Sequence, residues 1–302
     1  MLSIAVSSRA LFHIEDGDEI FRTQGQAAFD AYMRSKENVP LRPGTAFSLI
    51  RKLLALNKPG QERLVDVVML SRNSPEAGMR IMNSIVHYGL DIRGAIFSKG
   101  ADRFRYVKDL GVHLFLSANS TDVKTAIENG VAAATMLPSE RDEVSSDMSI
   151  RIAFDGDSVL FSSEADEQYR NNGLDAFHRH EVEKANIPLG EGPFKRVLDE
   201  LHFIQQQFPP NECPLKMGLV TARGIPSHAR VLNTLRSWNV VLDEAIFANG
   251  APKGPLLRAF GADVFFDDTQ KNISSACDCD IVSGHVPFGA GGIVQASAAV
   301  PA

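Results

Sequence analysis

Cysteine is scarce in this chain: three residues in 302, Cys213, Cys277 and Cys279. So small and odd a number excludes a disulfide framework and fits a reducing compartment. The pair Cys277-Asp278-Cys279 has no second Cys/His cluster to complete a metal site, so an incidental thiol pair is the reading. Positive charge is also in deficit. The formal net charge of −6 excludes a bulk electrostatic affinity for nucleic-acid polymers. It does not exclude a small anionic ligand, whose site needs only local positive charge. Long apolar runs are missing as well, and none could span a bilayer. Met1 leads into an alternating stretch without the basic start and apolar core of a signal peptide. The expectation is a cytoplasmic protein with no membrane partner.

What is present is a soluble globular composition, 44% hydrophobic and 23% charged. The length suits one large domain or two ordinary ones. The chain also reads as written twice. With a shift of 150, Arg80 falls on Arg230 and Asn83 on Asn233; Ala95-Ile96-Phe97 falls on Ala245-Ile246-Phe247, Gly100-Ala101 on Gly250-Ala251, and Gly111 on Gly261. With a shift of 148, "FRTQGQAAF" from Phe21 falls on "YRNNGLDAF" from Tyr169, and "NVPL" from Asn38 on "NIPL" from Asn186. The expected domains are a first half, 1–140, a second half, 148–289, a polar linker "SERDEVSSDMS" between them, and a flexible small-residue tail, 290–302.

Each half shows the same order of elements. A short apolar strand (Ile4–Val6; Ile150–Phe154) is followed by a polar, helix-prone stretch and an amphipathic helix (Ala46–Asn57; Phe194–Phe208). Strands "VVML" or "GLV", "AIF", "LFL" or "VFF", and "VAAAT" or "DIVSG" then alternate with helices. Ser74-Pro75 reads as an N-cap with proline at the first helical position. The pattern predicts an α/β fold of two tandem, Rossmann-like parallel-sheet halves.

In open parallel sheets, ligands sit beyond the carboxyl ends of the strands. At those points the second half carries Asp155 and Asp157; Thr221, Ala222 and Arg223; Lys253 opening a helix; and Asp267 with Asp268. Carboxylates are hard oxygen ligands suited to magnesium. A carboxylate can also attack phosphorus to form an acyl phosphate. The acid two residues on can protonate the leaving oxygen and later deprotonate water. A lysine and a hydroxyl can neutralise and orient phosphoryl oxygens.

In this order, Asp155-Gly156-Asp157-Ser158-Val159, Thr221, Lys253 and Asp267-Asp268 resemble the four motifs of the haloacid dehalogenase superfamily, and the DxDxV form resembles its phosphatase branch. The stretches "AVSSRALF", "IAFDGDSVLFS", "LVTAR", "TLRSW", "GAPKGPLL", "FFDD" and "HVPFG" resemble the cytosolic 5′-nucleotidase type I family, from about Ile4 to Gly289. The resemblance implies a HAD-like fold and magnesium-dependent hydrolysis of nucleoside 5′-monophosphates. It implies Asp155 as nucleophile and metal ligand, and Asp157 as general acid/base with its backbone carbonyl on the metal. Thr221 and Lys253 would hold phosphate, Asp267 would complete the metal site, and Asp268 would stand beside it. A phosphatase for another small phosphate ester and a non-catalytic nucleotide-binding regulator are the rival readings.

More than sixty residues separate Asp157 from Thr221, which predicts a helical cap over the site, about 162–214. Phe177, His178, His180 and Asn186 are its candidates for base or ribose contacts, although Phe177 as core and the histidines as surface is the simpler reading of each. His285, after the last strand, is a further candidate. Arg223 is read either as a contact to substrate phosphate or as half of a surface ion pair, and Asp268 either as a metal-site acid or as a helix cap. The matching strand ends of the first half carry Ser7, Ser8 and Arg9, Ser71 and Arg72, Arg103, then Ser117 and Ala118. With every carboxylate missing, this half is expected to be non-catalytic. It is either a structural partner or a site for a phosphate-bearing nucleotide effector built from Ser7, Arg9, Ser71, Arg72 and Arg103. A homo-oligomer and the base and sugar preference are left open.

Overall fold

The computed structural model describes residues 1–137, 147–209 and 212–288. Most of the expected linker and the whole expected tail lie outside them. The described residues fall into two compact units, 1–131 and 132–288.

The first unit opens with β1 (Leu2–Val6), α1 (Ser8–Leu11), β2 (Phe12–His13), α2 (Glu15–Gln24), α3 (Gln26–Ser35), β3 (Arg42–Pro43) and α4 (Phe47–Leu54). It continues with β4 (Val65–Ser71), α5 (Pro75–His87), β5 (Gly94–Phe97), β6 (Leu114–Ser117) and α6 (Ser120–Glu128). The second contains β7 (Ala132–Leu137), β8 (Ile150–Phe154), α7 (Glu164–Glu183), α8 (Lys195–Gln206), β9 (Leu215–Thr221) and α9 (His228–Ser237). It ends with β10 (Glu244–Phe247), α10 (Lys253–Phe260), β11 (Val264–Asp267), α11 (Gln270–Cys277) and β12 (Val282–His285).

In the first unit the strands run β5-β4-β1-β6, all parallel. In the second they run β10-β9-β8-β11-β12, all parallel, with β7 antiparallel beyond β12. Strands β1, β4, β8 and β9 are buried almost without a break, as strands of a parallel sheet covered by helices are. Read as α/β with parallel sheets, the sequence matches this architecture. Strand β7, expected to close the first half, is instead grouped with the second unit, where Ser283, Gly284 and His285 pair with Leu137, Met136 and Thr135.

Local signals place the helices. The Ser74 hydroxyl accepts from Ala77 N at 3.1 Å with Pro75 next to it, so α5 starts as predicted. Helix α10 starts at Lys253 and ends at Gly261 in the left-handed region, φ 74°. The helix expected between β5 and β6 is not formed: only a single 3₁₀ turn, Phe104–Tyr106, is present. The reason lies in its counterpart. An added Cβ on Gly254 would fall under 3.0 Å from the Ser275 carbonyl, so α10 meets α11 backbone to backbone. Phe104 stands at the corresponding position, too large for that approach, and packs instead edge-on to Phe115 with ring centroids 5.4 Å apart.

The stretch expected as a cap contains two different helices. Helix α7 is kinked at Gly173, φ 77°. Helix α8 belongs to the layer over the sheet: Phe194 at its start packs on Phe154 at 6.3 Å and Phe266 at 5.0 Å.

Candidate active site

Four loops at the carboxyl ends of β8, β9, β10 and β11 carry the chemistry. Asp155 follows β8, and its N–H donates to the Phe266 carbonyl at 2.8 Å, which extends the ladder to β11. The next turn is tight. Gly156 N donates to Asp155 Oδ1 at 2.6 Å, and the Gly156 carbonyl accepts from Leu160 and Phe161. Ser158, fully buried with φ 63°, donates to Asp166 Oδ2 at 2.9 Å. Thr221 is the last residue of β9, and its carbonyl and those of Ala222 and Arg223 accept from Ala248, Gly250 and Asn249. That lattice fixes the loop before Lys253.

Lys253 Nζ lies 2.7 Å from Asp155 Oδ1 and 2.7 Å from Asp267 Oδ2. Asp267 also accepts from Thr269 N at 2.7 Å and from Asn272 Nδ2 at 3.0 Å. One carboxylate oxygen from each of Asp155, Asp267 and Asp268 lies within 4.8 Å of the others, and all three residues are buried. Asp268 Oδ2 is buried with no hydrogen-bond partner, although Oδ1 accepts from Thr269 Oγ1. A buried acceptor of that kind is costly unless something donates to it or coordinates it.

The electrostatics show a site short of positive charge. Burial, then the charge of Asp267, pushes the Asp155 carboxyl well above the usual range, with Lys253 pulling the other way. Burial, then Asp267 and Asp166, raises Asp268 to about 7. Burial alone would lower Lys253, but Asp155 and Asp267 outweigh it and hold the ammonium charged. Three carboxylates around one ammonium are what a hard divalent cation would complete.

Asp157 stands apart from this cluster. Its two oxygens accept from Arg223 Nη2 at 2.7 Å and Nε at 2.8 Å. Arg223 Nη1 donates to Glu181 of α7, and Arg230 Nη1 donates to the other oxygen of Glu181 at 2.8 Å. Arg230 Nη2 reaches Glu164 Oε2 at 3.1 Å. Of the two readings of Arg223, the structure shows the ion pair, and it is buried rather than on the surface. Glu181, Arg230, Glu164 and Asn272 are site residues that the sequence reading missed. Arg230 had a signal, since the repeat pairs it with Arg80; Glu181 had none.

The candidate substrate contacts are only partly gathered. Phe177 is buried, with Arg223 5.4 Å above its ring. His178 packs beside Phe177 at 5.7 Å. His180 lies on Glu164 at 3.3 Å. Ala222 is exposed at the strand end. Asn186 is exposed and accepts from Asn233 Nδ2 at 3.3 Å. His285 closes β12, with Nε2 3.0 Å from the Asp268 carbonyl.

In the first unit the expected positive pocket is largely neutralised. Arg9 donates to Asp18 at 2.6 Å on the surface. Arg72 and Arg103 both pair with the buried Asp122. Ser7 caps α1, and Ser71 Oγ lies 3.0 Å from Ser8 Oγ. The acids come from helices α2 and α6, which a reading confined to strand ends does not reach.

The family model described as 5′-nucleotidase matches residues 1–292 of this chain. Human cytosolic 5′-nucleotidase 1B is 39% identical to it over 286 residues, 91% of this chain and 47% of that protein. The chain thus spans about half the length of this relative. No solved structure gives a significant match. Among the described residues, no helix is long and apolar enough to cross a membrane.

Proposed function

Because the chain belongs to the 5′-nucleotidase family, we infer that it hydrolyses nucleoside 5′-monophosphates to nucleoside and phosphate, in the cytoplasm. The observation that carries this reading is the meeting of Lys253 with Asp155 and Asp267, 2.7 Å from each, beside the orphaned oxygen of Asp268. The three carboxylates suit magnesium, held by Asp155, Asp267 and Asp268. Bound there, magnesium would neutralise charge on the phosphoryl oxygens.

The chain's own residues then divide the chemistry. An Asp155 oxygen attacks phosphorus, the bond from phosphorus to the nucleoside 5′-oxygen breaks, and an aspartyl phosphate forms. For Asp157 to give a proton to the leaving oxygen, substrate must draw one of its oxygens off Arg223, which holds both here. In the second step Asp157, now a carboxylate, takes a proton from the water that attacks phosphorus, and Asp155 is released with free phosphate. Lys253 and Thr221 hold the phosphoryl oxygens. Helix α7 would exclude water, and Phe177 and His178, which it carries, are the candidates for nucleoside contact.

The first unit is read as a non-catalytic copy produced by duplication. Supporting this are the shared strand order and the hydroxyls Ser7, Ser71 and Ser117 standing where Asp155, Thr221 and Asp267 stand. Phosphate release from a panel of nucleotides, with and without magnesium, is the test. Turnover of sugar phosphates over nucleotides would favour a different ester as substrate, and no turnover of any phosphomonoester would favour a binding protein.

A further inference from the structure

Glu181 is fully buried on α7 and divides its two oxygens between two guanidinium groups. One oxygen accepts from Arg223 Nη1 and the other from Arg230 Nη1 at 2.8 Å. Arg230 also reaches Glu164 at the start of the same helix, so Glu181 is itself anchored. Arg223 thus serves two carboxylates: Glu181 at Nη1, and Asp157 at Nε and Nη2.

The two units differ at this position in a telling way. Arg80 and Arg230 fall on each other in the repeat, and their backbone contacts match. Each donates from Nε to a carbonyl at 2.9 Å, Val39 for Arg80 and Ile187 for Arg230. Each has its own carbonyl capped by the hydroxyl four residues on, Ser84 or Thr234, and that hydroxyl accepts from Leu41 N or Leu189 N. Where Glu181 stands, the first unit has Met33, whose sulfur is 3.8 Å from Arg80 Nη1. The first unit also has Arg9 in the place of Asp157 and Asn73 in the place of Arg223. The arginine frame is therefore built with a thioether in one unit and a carboxylate in the other. The carboxylate accompanies Asp157 and Arg223.

We propose that Glu181 is a positioning residue: it is the fixed counter-charge of Arg223 that lets Asp157 let go and reach the leaving oxygen. The proposal rests on the reading of Asp157 as general acid. A buried guanidinium without a counter-charge is costly. Were Asp157 its sole partner, each turn of Asp157 toward substrate would strand Arg223. With Glu181 in place, Arg223 keeps one carboxylate while Asp157 moves. Repulsion between the two carboxylates further loosens the grip on Asp157.

The test compares wild type and Glu181→Gln on a nucleoside 5′-monophosphate and on its 5′-phosphorothiolate, in which sulfur bridges phosphorus and C5′. The alkoxide needs a proton as it leaves, and the thiolate does not. The quantity read is kcat/KM, which measures transition-state stabilisation from free enzyme and free substrate. Glu181→Gln is expected to lower it at least about tenfold for the monophosphate, a share of the roughly 10²–10⁴ that a general acid supplies, and less than about threefold for the phosphorothiolate. Equal losses on the two esters, or no loss on either, overturn the role of Glu181 while leaving the hydrolase reading intact. A wild type that turns over neither ester overturns both. Should Glu181→Gln not fold, Glu181→Met combined with Arg230→Met keeps the buried charges in balance. The same selective loss is expected of that double variant, and an equal loss on both esters overturns the proposal.

Discussion

Arg223 grips Asp157 with two nitrogens, at 2.7 and 2.8 Å, across 66 residues of chain. The same guanidinium reaches Glu181 on α7, so one side chain links the DGD loop to the helix over the site. Burial alone would lower the Arg223 pKa, but the two carboxylates more than offset it and hold the group charged. Arg223→Ala is therefore expected to leave the buried Asp157 unmatched, with Arg230 still on Glu181, and to lower stability by about 3–5 kcal/mol. Arg223→Lys keeps the charge but not the fork, so it should fold while losing kcat more than it changes KM. Denaturant unfolding and steady-state kinetics check both.

Asp155→Asn removes the attacking oxygen while keeping the shape of the side chain. Phosphate release is expected to fall at least about a thousandfold, with an unchanged circular dichroism spectrum. Turnover near the wild-type rate would remove Asp155 as the nucleophile.

The metal cluster makes a pH-dependent prediction. A cation must displace protons from its ligands, and Asp268 holds its proton up to about 7. Magnesium is expected to raise the melting temperature more at pH 8 than at pH 6, because at pH 6 the proton competes for Asp268. Melting curves with magnesium or chelator at the two pH values decide it, and equal shifts would count against Asp268 as a ligand.

Glu164 carries an acid-stability signature. Burial opposes its ionisation, but hydrogen bonds from Lys184 and Arg230 bring its pKa from 4.5 down to about 2. A depressed carboxylate stabilises the fold above its unfolded pKa, and the contribution is lost as pH falls from about 4.5 to about 2. The group is over a third exposed, so solvent screening leaves about 1 kcal/mol. Glu164→Gln is expected to lose that amount at pH 7 and to show a shallower stability loss through the acid range in pH-dependent melts.

Gly254→Ala places a Cβ against the Ser275 carbonyl. Overpacking of this kind costs about 1–3 kcal/mol. It should also shift the start of α10, and with it Lys253, so that kcat falls in a variant that still folds. Full activity with wild-type stability would show that α10 and α11 can separate freely.

Much of the site was legible because its signals are local. A strand run followed by Asp155-Gly156-Asp157, Thr221 at the end of β9, and Lys253 at the start of α10 are each placed by a few neighbouring residues. Parallel topology then brings strand ends together on one edge. Arg223 was not legible in the same way. Its position was read, but its partners lie 66 and 42 residues away, and no local pattern specifies them. In the first unit the arginines were found and the acids that meet them were not, since Asp18 and Asp122 sit on helices. The helix missing at Phe104 was misread because its counterpart depends on a backbone contact between α10 and α11.

The sequence by itself determined the α/β alternation, the strand ends that carry carboxylates, and the absence of carboxylates from the matching strand ends of the first half, because periodicity and turn chemistry act over a few residues. Only the tertiary structure decided which charges meet. Arg230 is matched by Glu181 and Glu164, whereas Arg80, at the position the repeat aligns with it, meets the sulfur of Met33. Burial strips water from each of these groups, so its energy depends on partners that the fold brings from distant parts of the chain.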